Sequence, residues 1–227
     1  GLPYYAIKMT LTGKYRQSMG PKFGIVRPSI FAEMKGSPRI WIHAVSVGEV
    51  TAAEPIVASL RTHFPEACIV LSTSTETGQD IARRIVTGAT SFIYYPLDIP
   101  FVVRKVIAKV RPDIFILTET ELWPNFIRVC KEQGAKVIMV NGRISQHSYQ
   151  RYAMTRFFWK GIVNLIDEMG VISEIDGERL KAIGMEPSRV HVMGNAKYDS
   201  FAAKASPPVR EEMERRMNLT KMDRVFV

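Results

Sequence analysis

The chain predicts an α/β protein with a Rossmann-like, doubly wound parallel sheet. Three observations carry that reading. Short apolar runs recur at residues 40–45, 68–71, 92–95, 114–117, 137–140, 169–172 and 190–193, and a continuous apolar run of this length is the signature of a strand buried on both faces. Between most of them lie segments with helical spacing, at 51–64, 77–86, 101–110, 123–133, 148–166 and 174–183. Strand–helix alternation gives parallel strands joined by crossover helices. Pro100 and Pro124 stand where helices begin, and Gly134 and Gly184 where they end. Proline's fixed φ suits a first turn, and glycine accepts the left-handed conformation beyond a last one.

The first strand runs into His43-Ala44-Val45-Ser46-Val47-Gly48-Glu49, and the fourth into Thr118-Glu119-Thr120-Glu121-Leu122-Trp123-Pro124-Asn125. In a doubly wound sheet these two strands are neighbours, and ligands bind in the crevice outside their carboxyl ends. Two acidic loops at one switch point therefore mark a candidate active site. Ser46 and Glu49 have capping-box spacing, which makes Glu49 a helix cap in one reading. Gly48 favours another: a glycine in a first helical turn costs about 1 kcal/mol against alanine but lets a ligand approach the backbone. A helix N-terminus also suits an anionic substrate. Glu119 and Glu121, two residues apart, share a face on extended backbone. Gathered carboxylates raise one pKa and make a general base near neutral pH, or the pair simply complements the next helix dipole.

Other strand ends add weaker candidates. Thr75, in the hydroxyl-rich stretch 72–78, hydrogen-bonds a sugar or phosphate, or caps the following helix. Arg143, after Asn141-Gly142, clamps an anionic group or lies on the surface. Lys197, in 194–199, faces the crevice or solvent. His43 reads mainly as structural. No metal-ligand spacing and no G-x-G-x-x-G after the first strand are present, so neither a metal nor a cofactor is expected. Cys68 and Cys130 sit in apolar or helical context and read as reduced core thiols of a cytosolic protein.

Charge is uneven. The formal balance is +9, and the first 39 residues hold seven bases (Lys8, Lys14, Arg16, Lys22, Arg27, Lys35, Arg39) against one acid, Glu33. Aromatic and aliphatic residues are interleaved with them. That mixture suits an anionic membrane surface. Nucleic acid attracts the same charge, but no recognition-helix, zinc or stacking motif accompanies it. No run of 18 apolar residues occurs, so no membrane span is expected within the chain. The organisation reads as a basic segment at 1–39 and the sheet domain at 40–205. Residues 206–227, opened by Pro207-Pro208, read as a linker and the first strand of a truncated second domain. Gly1 reads as the start of a trimmed chain.

Five motifs then carry a resemblance: residues 43–49, Tyr95-Pro96-Leu97-Asp98, Glu119 to Asn125, Val140-Asn141-Gly142-Arg143, and Met193-Gly194-Asn195-Ala196-Lys197-Tyr198-Asp199. Together and in order they resemble the 3-deoxy-D-manno-octulosonic acid (Kdo) transferases of lipopolysaccharide biosynthesis. The resemblance implies the N-terminal half of a GT-B glycosyltransferase, inverting at the sugar's anomeric carbon. It implies a CMP-Kdo donor bound mainly by a missing C-terminal domain, and a lipid A precursor as acceptor. The place would be the cytoplasmic face of the bacterial inner membrane, with a hydrophobic anchor normally preceding this chain. Residues 40–205 would be the acceptor domain, and the fragment alone would be inactive. Glu49 would be the catalytic base and Glu119 its tuning partner, with Ser46, Gly48, Thr75, Arg143 and Lys197 as substrate-binding candidates. The rivals are another GT-B sugar transferase, or a non-catalytic membrane-binding Rossmann domain whose acid loops are only caps.

Overall fold

The computed structural model describes residues 16–196 together with Glu212, Arg215 and Arg216. Lys8, Lys14 and Lys197, the side chain of Arg16, the Pro207-Pro208 break and the expected strand at 224–227 lie outside the described residues.

Seven parallel strands form one sheet: β1 (Arg39–His43), β2 (Cys68–Thr73), β3 (Ser91–Tyr94), β4 (Ile114–Leu117), β5 (Lys136–Gly142), β6 (Glu168–Val171) and β7 (Val190–Val192). Their order is β3-β2-β1-β4-β5-β6-β7. The chain therefore winds outward from β1 in one direction, then restarts at β4 and winds in the other. That reversal is the switch point expected from the strand–helix alternation. Ile40 pairs with Ile114 and His43 with Leu117, so β1 and β4 end level with one another.

The helices are α1 (Arg16–Lys22), α2 (Pro28–Ala32), α3 (Val47–His63), α4 (Glu76–Ile85), α5 (Pro100–Val110), α6 (Pro124–Glu132), α7 (Gln146–Met154), α8 (Arg156–Val163) and α9 (Glu174–Ile183). Side-chain alternation along β1 splits the core into two layers. Ile40 and Ile42 pack with Ile69, Leu71 and the α3 residues Val50 and Val57. Trp41 packs on the opposite face with Phe115, Val103 and Ile107 of α5, and Phe126 of α6. The rings of Trp41 and Phe126 meet edge to face at 4.9 Å.

Pro100 and Pro124 occupy first-turn positions of α5 and α6, and Gly184 closes α9 at φ 117°. The long helix expected over 148–166 is instead two. Thr155 leaves the helical region at φ −113°, ψ 30°, and its hydroxyl donates to the Arg151 carbonyl at 2.9 Å. Such back-bonding competes with the backbone ladder and bends helices. Cys68 and Cys130 are buried free thiols, and burial pushes the Cys130 thiol far above its ordinary value. Among the described residues no helix is long and apolar enough to cross a membrane.

Candidate active site at the sheet switch point

Glu49 lies in the first turn of α3, directly after β1, and only 6% of its surface is exposed. Its carboxylate accepts from the Val45 N–H (2.8 Å) and from the Ser46 hydroxyl (3.0 Å). Ser46 occupies the N-cap position, but its side chain accepts no helix N–H. The reciprocal capping box suggested by the spacing is therefore only half present. The acid reaches back past the N-cap to Val45, and the serine serves the acid instead of the helix. Burial raises the Glu49 carboxyl above its ordinary value, and the charge of Glu119 adds to this. The hydrogen bonds from Val45 and Ser46 pull the other way.

The second acidic loop faces this carboxylate. Thr118 fixes its start: both its N–H (3.2 Å) and its hydroxyl (2.8 Å) donate to the His43 carbonyl. The loop is then tightly turned, not extended, because the Glu121 N–H donates to the Glu119 carbonyl at 2.8 Å. Its far end is held by Asp98, whose carboxylate accepts from the Asn125 N–H (3.1 Å) and the Phe126 N–H (2.8 Å) at the start of α6. The Tyr95–Asp98 motif thus supplies the cap of a helix on a different strand. Half-buried Glu121 has its carboxyl pushed up to about 7, first by burial and then by the charges of Glu49 and Glu119. The sequence placed Glu121 beside Glu119 without singling it out, and no spacing rule separates the two.

Beneath the acids lies an aromatic floor. His43 is buried and stacks on Tyr95 with ring centroids 3.7 Å apart. Its Nδ1 faces the Ser72 hydroxyl at 3.0 Å. Desolvation drives the His43 pKa down to about 3, so the ring is neutral at physiological pH and structural, as its strand context suggested. Trp123 stands 5.4 Å from Tyr95, centroid to centroid. His43 Nε2, the Tyr95 hydroxyl, Trp123 Nε1 and Asn141 Nδ2 are buried polar atoms without hydrogen-bond partners. His43, Tyr95 and Asn141 stand at the carboxyl ends of β1, β3 and β5, and Trp123 at the start of α6.

The remaining candidates divide. The Arg143 backbone N–H donates to the Thr120 hydroxyl at 2.7 Å, which brings the turn after β5 against the acidic loop, with the Arg143 side chain exposed. Gly48 is exposed at the mouth of α3. Thr75 is near, since the Ser74 N–H reaches the Val45 carbonyl at 3.4 Å, but its hydroxyl caps α4 by accepting the Gly78 N–H at 3.0 Å. Asn141, at φ 56°, accepts the Ala196 N–H at 3.2 Å and draws the segment after β7 to the same rim. Among the described residues no group of three His, Cys, Asp or Glu side chains is arranged to hold a metal ion.

Sheet order and helix placement define a class: a Rossmann-like, doubly wound α/β unit. Solved structures of UDP-GlcNAc 2-epimerases share the fold. The Neisseria meningitidis enzyme, bound to UDP-GlcNAc, aligns with a TM-score of 0.57 at 11% identity over 82% of this chain and 56% of its own. The Methanocaldococcus jannaschii enzyme aligns at 0.54 and 14% identity, over 78% of this chain and 53% of its own. Residues 17–200 match the family model for 3-deoxy-D-manno-octulosonic-acid transferase (kdotransferase), and the chain belongs to that family. The 3-deoxy-D-manno-octulosonic acid transferase of Chlamydia trachomatis serovar D is 32% identical over 99% of this chain and 52% of its own length. That of Haemophilus influenzae is 32% identical over 82% and 43%. A bifunctional glycosyltransferase/methyltransferase of Fusobacterium nucleatum is 33% identical over 83% and 30%. The chain thus spans about half the length of the curated transferases it matches, or less.

Proposed function

We propose that this chain is the acceptor-binding half of an inverting glycosyltransferase that moves Kdo from CMP-Kdo to a lipid A precursor. The observation that carries the proposal is the Glu49 carboxylate. It is buried at the switch point, oriented by Val45 and Ser46, and raised in pKa. A base in that state takes the proton of an acceptor hydroxyl as the oxygen attacks the anomeric carbon of Kdo and CMP departs from the opposite face. Glu119 tunes the base through its charge. Gly48 leaves room for the acceptor, and Ser46 holds the carboxylate. Arg143 and Lys197 would meet anionic groups, and Thr75 the rim of the substrate. The donor would be held mainly by a second domain, with residues 206–227 leading to it. The work would take place at the cytoplasmic face of the inner membrane, where a phosphorylated lipid acceptor resides.

Glu121 is the competing base, because its carboxyl titrates at about 7. The test uses a protein that carries this chain together with the second half its relatives have, assayed for Kdo transfer from CMP-Kdo to a lipid A precursor. Glu49→Gln should remove turnover while Glu121→Gln retains most of it. The reverse result would make Glu121 the base. Transfer at the parent rate by both variants would refute carboxylate base catalysis in this crevice.

A further inference from the structure

The turn between α7 and α8 exposes apolar side chains that the fold does not use. Met154 is 84% exposed and Phe157 87%, with Phe158 beside them. Arg151, Arg156 and Lys160 are exposed around them, and the described residues give none of the three an ion pair. The chain holds 22 acids in 227 residues, yet none occurs between Glu132 and Asp167, where five bases do. An interface with another protein usually has a rim of mixed charge. A stretch that carries bases and no acids around projecting Met and Phe complements an anionic lipid surface, which takes the bases at its headgroups and the apolar tips below them.

Position supports the same occupant. The helix α7 leaves the sheet at the carboxyl end of β5, directly after Arg143, whose backbone is bonded to the acidic loop. Tyr152, on α7, is close enough to Glu121 for that charge to raise its phenol pKa, after burial. A cavity of about 380 Å³, lined by Ser148, Arg151, Tyr152, Thr155 and Trp159, lies at the foot of the turn. It offers a headgroup a place beside Arg151. The break at Thr155 ends α7 and starts α8 at this point.

We propose that the α7–α8 turn docks on an anionic bilayer, with Met154 and Phe157 inserted at the headgroup boundary and Arg151, Arg156 and Lys160 on lipid phosphates. The inference builds on the membrane-held acceptor proposed above. Its test reads binding without turnover, so either idea can fail alone.

The 227-residue chain is sedimented with vesicles of phosphatidylcholine alone or with phosphatidylglycerol, over a salt series. Binding should require the anionic lipid and weaken steeply with salt. Met154→Ser/Phe157→Ser and Arg151→Glu/Arg156→Glu should each weaken it by about tenfold or more, with unchanged melting temperature, since these side chains are exposed. A Phe157→Trp probe should be quenched by lipids brominated in the acyl chain. Three results would overturn the proposal: both double variants binding like the parent chain, equal binding to neutral vesicles, or substitutions that dissociate an oligomer instead. The last would make the face a protein interface.

Discussion

Two turns of this molecule carry a serine three residues before a buried acid, and the acids are equally buried: Glu49 and Asp176 are each 6% exposed. At Ser173 the hydroxyl accepts the Asp176 N–H (3.3 Å) and donates to the Asp176 carboxylate (2.6 Å). The acid also accepts the Ile144 N–H from the turn after β5 at 2.8 Å. That serine caps a helix, and that carboxylate clips two segments together. At Ser46 the hydroxyl caps nothing. It donates to Glu49, which accepts hydrogen bonds from its near predecessors Val45 and Ser46 and whose charged neighbour is another acid. One sequence pattern thus makes a structural clip at one site and a poised carboxylate at the other. What separates them is whether a distant backbone group claims the acid.

The comparison breaks most visibly when the two acids are replaced. In a protein with both halves, Glu49→Gln should cost about 10²–10⁴ in turnover, roughly 3–5 kcal/mol of barrier, with the melting temperature kept. Asp176→Ala should do the opposite. Leaving the Ile144 N–H buried without a partner costs about 1–3 kcal/mol of stability, read as a lower denaturant midpoint. A Glu49→Gln variant with parental turnover would reduce both sites to caps.

Glu121 sharpens the contrast through pH. Its folded pKa of about 7 lies above the ordinary glutamate value of 4.5. The folded state therefore holds the proton more tightly than the unfolded one. The associated stability is fully present below about pH 4.5 and is lost as pH rises through 7. Glu121→Gln should be more stable than the parent at pH 8, by about 1–2 kcal/mol, and show no gain at pH 4. Urea melts at the two pH values measure this directly, and an equal effect at both would place Glu121 outside the acid cluster.

The serines come next. Ser173→Ala removes a cap and should cost about 1 kcal/mol. Ser46→Ala should cost less stability but move the acidic limb of the pH–rate profile upward, because Glu49 loses a donor to its charged form. Glu119→Gln should move the same limb downward, since a repelling charge is gone.

The sheet was readable because buried parallel strands are continuous apolar runs and because Pro100, Pro124, Gly134 and Gly184 mark helix ends. The adjacency of β1 and β4 follows from the winding rule, so the meeting of the two acidic loops was also foreseeable. The details that depend on which partner wins a hydrogen bond were not. Ser46 and Thr75 have the same chemistry at the same kind of strand exit, yet only Thr75 caps. The Glu121 N–H turns back onto the Glu119 carbonyl where extended backbone was expected, and the Thr155 back-bond decides where one expected helix becomes two. Each is a choice among equally available donors and acceptors, made by tertiary packing.

The Asp98 cap has a consequence for how the crevice responds to a ligand. The span that carries Glu119 and Glu121 begins at Leu117, inside the sheet, and ends at Asn125 and Phe126, whose N–H groups are held by Asp98 from beyond β3. A bridge of so few residues, pinned at both abutments, has no slack to take up when a substrate arrives. Its ordering entropy was lost when the chain folded, so little reorganisation remains between the resting acids and the reacting ones. A change at Asp98, in a loop that carries none of the acids, should therefore register in the chemistry as surely as a change in the acidic loop itself.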